Sequence, residues 1–268
     1  MSALQTYLSG FSTLTLGLLA SIAASAGTGV GALPVLGMRG VSQKAQDVLQ
    51  SIAAGIMLNA TVFSLFVPGT EAATAQFGGP VRGALVVSAS ALLGAGTVLL
   101  VNRFTPHEHF FLGVQGPHTH HRIRRTWLFV MAITIHNFPE GLSVGVGFGG
   151  GNVANGVELT TAIFLQNIPE GLVVALGLLA AGYSARFSVL VSFATGFVET
   201  VGGLVGATAV ALAASLLPWG LGFAAGAMLF VISHEIIPET HRNGFEQSAT
   251  FGLLGGFLGM VVLGAALG

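Results

Sequence analysis

Residues 126–148 read "TWLFVMAITIHNFPEGLSVGVGF", and residues 158–180 read "ELTTAIFLQNIPEGLVVALGLLA". Each run is long enough to cross roughly 30 Å of hydrocarbon as a helix, yet each holds Asn, Pro and Glu near its middle, where all three are disfavoured. The spacing places His136 and Glu140 on one helix face and repeats the arrangement with Gln166 and Glu170. Two helices running in opposite directions then bring these four side chains to one depth.

The surrounding composition agrees with a membrane setting. Of 268 residues, 53% are hydrophobic and 7% are charged, where soluble domains carry about 25% charged residues. Forty glycines suit helices packed backbone to backbone. Absence of cysteine rules out disulfides and thiolate metal sites. A net charge of −1 without a basic run gives no support for a nucleic-acid partner. The start "MSALQTYLSG" has no positive n-region, so the first apolar segment is expected to be retained.

Apolar runs predict an all-α membrane protein with eight transmembrane helices near 11–36, 48–68, 81–101, 126–148, 158–180, 187–213, 218–238 and 249–267. The chain reads as a single transmembrane domain over 1–268, interrupted by a His-rich hydrophilic loop at 102–125. Loops after the odd-numbered spans hold Arg39, Lys44, Arg103, Arg122, Arg124, Arg125, Arg186 and Arg242, and the opposite side holds Arg82. Cytoplasmic loops collect Lys and Arg. That bias puts both termini outside the cell membrane and the His-rich loop in the cytoplasm.

Glu199 joins Glu140 and Glu170 at mid-span, as does Met57. An unpaired ionised carboxylate at the bilayer centre costs about 2.5–3.5 kcal/mol on insertion scales, and few intramembrane cations are available here. A divalent cation bridging the carboxylates would compensate, with His, Gln or Met completing its shell. Pro139 and Pro169 are expected to kink their helices and free the carbonyls of Ile135 and Leu165. Taken singly, Gln166 and Met57 also read as packing residues, and Asn137 and Asn167 as interhelical hydrogen-bond partners.

The paired "HNFPEG" and "QNIPEG" motifs resemble the fourth and fifth helices of the ZIP (Zrt/Irt-like) metal transporters, especially the prokaryotic branch. "AAGIMLNATVFSLFVPG", "FTPHEH" and "ISHEIIPETHRNG" are similar to other family segments, so the resemblance covers nearly the whole chain. It implies a 3+2+3 arrangement with two inverted three-helix repeats, a homodimer, and uptake of zinc or a similar divalent ion into the cytoplasm. It also implies a first metal site at His136, Glu140, Gln166 and Glu170, with Met57 contributing a thioether. A second site would use Asn137, Glu140, Asn167, Glu170 and Glu199, and Asn167 stands where some members carry Asp.

Weaker expectations concern the route. Glu71 is a possible entrance group or an exposed acid. His107, Glu108, His109, His234 and Glu235 are possible exit or relay groups, and His118, His120 and His121 could buffer metal or be solvated. No catalytic cofactor is expected; the metal is cargo, with zinc first and cadmium, iron or manganese also compatible. The competing class is an intramembrane metalloenzyme, a hydrolase using the same buried metal. A zincin would want H-E-x-x-H, and "HEIIP" ends on Pro238.

Overall fold

Ser12, Ser42, Asn152 and Ser184 each accept a hydrogen bond from the backbone N–H three residues on, and each starts a long helix. These side chains satisfy donors that the first helical turn leaves free. The computed structural model describes residues 3–38, 40–104 and 119–267. Among these it is helical apart from short connections, without a strand. The helices are α1 (Ala3–Leu8), α2 (Thr13–Ala32), α3 (Gln43–Ala60), α4 (Val67–Phe77), α5 (Pro80–Phe104), α6 (Thr119–Gly147), α7 (Val153–Ala180), α8 (Ala185–Leu212), α9 (Leu217–Val231), α10 (Ile237–Thr240) and α11 (Glu246–Leu267).

Seven helical runs among the described residues are long and apolar enough to cross a membrane. The remaining expected span, α6, has 29 residues, and its middle carries His136, Asn137 and Glu140, which lower its hydropathy.

Continuity differs from expectation at the prolines. Helices α6 and α7 remain α-helical on both sides of Pro139 and Pro169. Changes of register occur elsewhere. A π turn over Thr61–Phe66 joins α3 to α4 just before Pro68, and a second over Ile232–Ile236 joins α9 to α10 just before Pro238. The N–H of Val67 bonds the Val62 carbonyl, and that of Ile237 bonds the Ile232 carbonyl. Thr70 and Thr240, each two residues past its proline, donate a hydroxyl back to Phe66 and Ile236 respectively. The second span therefore continues to Phe77 instead of ending at residue 68.

Packing follows a regular scheme. Helix α2 lies against α7 and α8, α6 against α8, α3 against α11, and α5 against α9; α3 also meets α7, and α6 meets α9. The glycine of each PEG triplet sits at a backbone contact. A Cβ on Gly141 would come within 1.8 Å of the Glu199 carbonyl oxygen, and one on Gly171 within 1.9 Å of that of Thr28. Only a residue without a side chain permits this approach. The fully buried core between the helices includes Met57, Leu65, Leu159, Ile163, Met228 and Ile232.

Candidate metal site

One cavity of about 90 Å³ is lined by His136 and Glu140 from α6 and by Gln166 and Glu170 from α7. This volume holds several waters or an ion with part of its hydration shell. Glu235, from the π turn after α9, and Gln50 and Glu239 also line it. The four residues of the expected first site thus meet where the i,i+4 spacing placed them. The lining extends to Gln50 and Glu239, toward the helix ends that carry Lys44 and Arg242.

Asn137, Asn167 and Glu199 are fully buried behind this lining. A chain of amide donors connects the two groups. Gln166 Nε2 donates to Asn167 Oδ1 at 2.8 Å; Asn167 Nδ2 donates to Glu199 Oε2 at 2.7 Å and to the Ala24 carbonyl at 3.0 Å. Gln166 also hydrogen-bonds Glu140, and both Glu140 and Glu199 act electrostatically on Glu170. Three carboxylates therefore share one low-dielectric region, where like charges repel strongly.

Seven side-chain atoms here are buried without a hydrogen-bond partner: His136 Nε2, both amide atoms of Asn137, Glu140 Oε2, Gln166 Oε1, Glu170 Oε1 and Glu199 Oε1. Native interiors leave few such atoms unmatched. His136 Nε2 lies 2.7 Å from Glu235 Oε2, an ion-pair distance without hydrogen-bond alignment. Asn102 donates to the other oxygen of Glu235 at 2.7 Å. Among the described residues, no three His, Asp or Glu side chains converge closely enough to grip an ion at once. His136, Glu140, Gln166 and Glu170 line one cavity, and His136 lies against Glu235.

Other expected positions fall as follows. Met57 is buried within the apolar core and does not line the cavity. Of the adjacent pair in the π turn, Glu235 points inward, whereas His234 is exposed with its ring 4.8 Å from that of Phe230. Glu71 is exposed on α4. His107, Glu108, His109 and His118 lie outside the described residues, as do the side chains of His120 and His121.

Sequence reading missed Gln50, Asn102 and Glu239. Gln50 precedes Met57 by two helical turns, a spacing that would have placed it on the same face. Asn102 falls in the expected hydrophilic loop, but α5 continues to Phe104 and leaves Asn102 7% exposed.

Comparison with known proteins bears on this arrangement. The pattern of the family described as ZIP Zinc transporter matches residues 111–264. The Zinc transporter GufA of Myxococcus xanthus is 46% identical over 252 residues, 94% of this chain and 99% of that protein. The Zinc transporter ZIPB of Bordetella bronchiseptica is 46% identical over 250 residues, 93% of this chain and 81% of its own length. The Zinc transporter ZupT of Chlorobaculum parvum is 29% identical over 90% of this chain and 94% of that protein.

Proposed function

Because this chain belongs to the ZIP family of zinc transporters, we propose that it carries zinc ions across a cell membrane through the cavity between α6 and α7. The observation that carries the reading is the set of six buried polar atoms without a hydrogen-bond partner on Asn137, Glu140, Gln166, Glu170 and Glu199, beside a His136 Nε2 whose contact is the Glu235 carboxylate. Imidazole nitrogen and carboxylate or amide oxygen are suitable zinc donors. A dication beside Glu140, Glu170 and Glu199 would also relieve their mutual repulsion.

The first site in this proposal is His136, Glu140, Gln166 and Glu170. Asn137, Asn167 and Glu199 form the second with the same two glutamates. Glu235 has a switching role: His136 Nε2 cannot hold both zinc and the Glu235 carboxylate, which is 2.7 Å away. An ion that takes His136 releases Glu235. On departure, the ion has Glu235 and then Glu239 as successive oxygen partners along the cavity. Such weak, sequential sites permit conduction, because binding must be loose enough to leave.

The proposed topology treats α6 as the eighth span of a single transporter domain, in a 3+2+3 arrangement of inverted repeats. Two features support it. Exchanging the first three spans with the last three, and the fourth with the fifth, converts the α2–α7 contact into α8–α6, α3–α11 into α9–α5, and α3–α7 into α9–α6. The same exchange pairs the span that holds one π turn with the span that holds the other. Lys/Arg bias supports termini outside and uptake into the cytoplasm, an orientation that would put the Gln50 and Glu239 end of the cavity lining on the cytoplasmic side. A homodimer is also proposed. Its contact would be sought on α5 and α11, whose apolar windows are 22% buried, against 44–61% for the other five.

The relatives and the family are zinc transporters, not enzymes, and the orientation of His234 gives no support to a hydrolase motif at "HEIIP". Cadmium, iron(II) and manganese(II) are proposed as competing substrates. Zinc flux into proteoliposomes, with these ions as competitors, tests the reading. Undiminished flux in a folded Glu140→Gln protein would sink it.

A further inference from the structure

A groove between α2 and α8 lies apart from the metal cavity. Ala26, Val30, Leu33 and Leu36 line one wall, Leu190 and Phe193 the other, and Arg186 stands at one end of a volume of about 490 Å³. Leu33, Leu36, Leu190 and Phe193 are between 51% and 66% exposed, so the groove faces outward from the bundle. Gly29 shapes it: a Cβ there would strike Phe193 Cδ2 at 2.2 Å, so the missing side chain lets the ring lie down between the helices.

The groove has a definite depth and polarity. The two helices run antiparallel, which sets Leu36 near Arg186 and Ala26 near Phe193. The eleven residues from Ala26 to Leu36, α-helical to Ala32 and 3-10 beyond, rise about 17 Å, a little over half of a hydrocarbon core of roughly 30 Å. The length matches one leaflet.

Its charged end lies at headgroup level. Trp127 Nε1 donates to Tyr183 OH at 2.7 Å, and Tyr183 stacks on Phe187 with centroids 5.0 Å apart. Trp and Tyr concentrate at membrane–water interfaces. Arg186 is exposed, and among the described residues no carboxylate pairs with it. It sits in the first turn of α8, where the backbone amides and the helix dipole also favour an anion.

We propose that this groove binds one acyl chain of an anionic phospholipid whose phosphate rests on Arg186. Guanidinium binds phosphate through paired N–H donors, and the aliphatic walls accept the chain. The site would brace α2 against α8 where Ser25 Oγ and Thr200 Oγ1 approach to 3.4 Å. This proposal stands independently of the metal reading.

Native mass spectrometry of the full chain in detergent, with equal amounts of phosphatidylglycerol and phosphatidylcholine added, tests it. Unsubstituted protein is expected to retain one phosphatidylglycerol per chain at least about fivefold over phosphatidylcholine. Arg186→Gln should abolish that preference, and Val30→Trp, which fills the groove, should reduce retention of both lipids. A cooperative thermal melt without zinc, with a midpoint close to that of the unsubstituted protein, shows that each variant is folded. Equal retention of the two lipids by the unsubstituted protein overturns the proposal, as does an unchanged preference in folded Arg186→Gln. Displacement of the lipid by glycerol phosphate at equal concentration also overturns it, because the groove would then contribute nothing.

Discussion

Asn167 donates to Glu199 and to the Ala24 carbonyl through one amide nitrogen. Asp at this position would present only oxygens to both acceptors, losing two hydrogen bonds and adding repulsion, so Asn167→Asp should melt at a lower temperature without zinc. Zinc would relieve the repulsion, and the zinc-induced rise in melting temperature should exceed that of the unsubstituted protein. Equal rises in the two proteins would show that residue 167 lies outside the ion's reach. Glu140→Gln and Glu170→Gln keep side-chain shape while removing charge, and each should lower zinc flux in proteoliposomes by about tenfold or more. His136, Glu140, Gln166 and Glu170 were legible in the sequence because an i,i+4 spacing fixes a shared helix face. Met57 shares their expected depth, but it packs within the apolar core and does not line the cavity. Glu235 gave no comparable spacing signal, since a π turn lies within its own helical run.

Gly141 was legible as a motif residue but not as the contact between α6 and α8. With its missing Cβ 1.8 Å from the Glu199 carbonyl, Gly141→Ala must separate the two helices and move a carboxylate of the site. We expect a stability loss of about 1–3 kcal/mol, the usual range for overpacking, together with reduced zinc flux. Gly96, on α5, has open space around its missing Cβ, so Gly96→Ala should be neutral or slightly stabilising. Thermal melts of both variants in one detergent check this, and similar losses would remove the close-approach argument. Apolar length revealed the helices to within several residues. The π turns were hidden because hydropathy carries no record of hydrogen-bond register, and Pro68 reads as a terminator unless the turn preceding it is known.

The proposed orientation can be checked across the whole chain because the sequence contains no cysteine. Lys44→Cys and Arg82→Cys introduce single thiols at exposed positions on opposite sides of the bundle. An impermeant maleimide applied to intact cells should label the Arg82→Cys protein and spare the Lys44→Cys protein; the reverse pattern would invert the topology. Removal of residues 110–121 should leave measurable zinc flux, since the cavity is assembled from α3, α6, α7 and the α9–α10 run. Complete loss of flux in a folded deletion protein would place that segment on the ion's route. The two π turns also bear on how chain length can vary. Such a turn holds one residue more than an α-helix needs to cover its distance. Deleting one residue within Thr61–Phe66 or Ile232–Ile236 lets the turn relax to α-helix and keeps both flanks in phase. The same deletion in the middle of α5 would rotate everything beyond it by about 100°. Natural variants that are one residue shorter should therefore have their gaps at these two places, and an engineered deletion series should find its tolerated positions there.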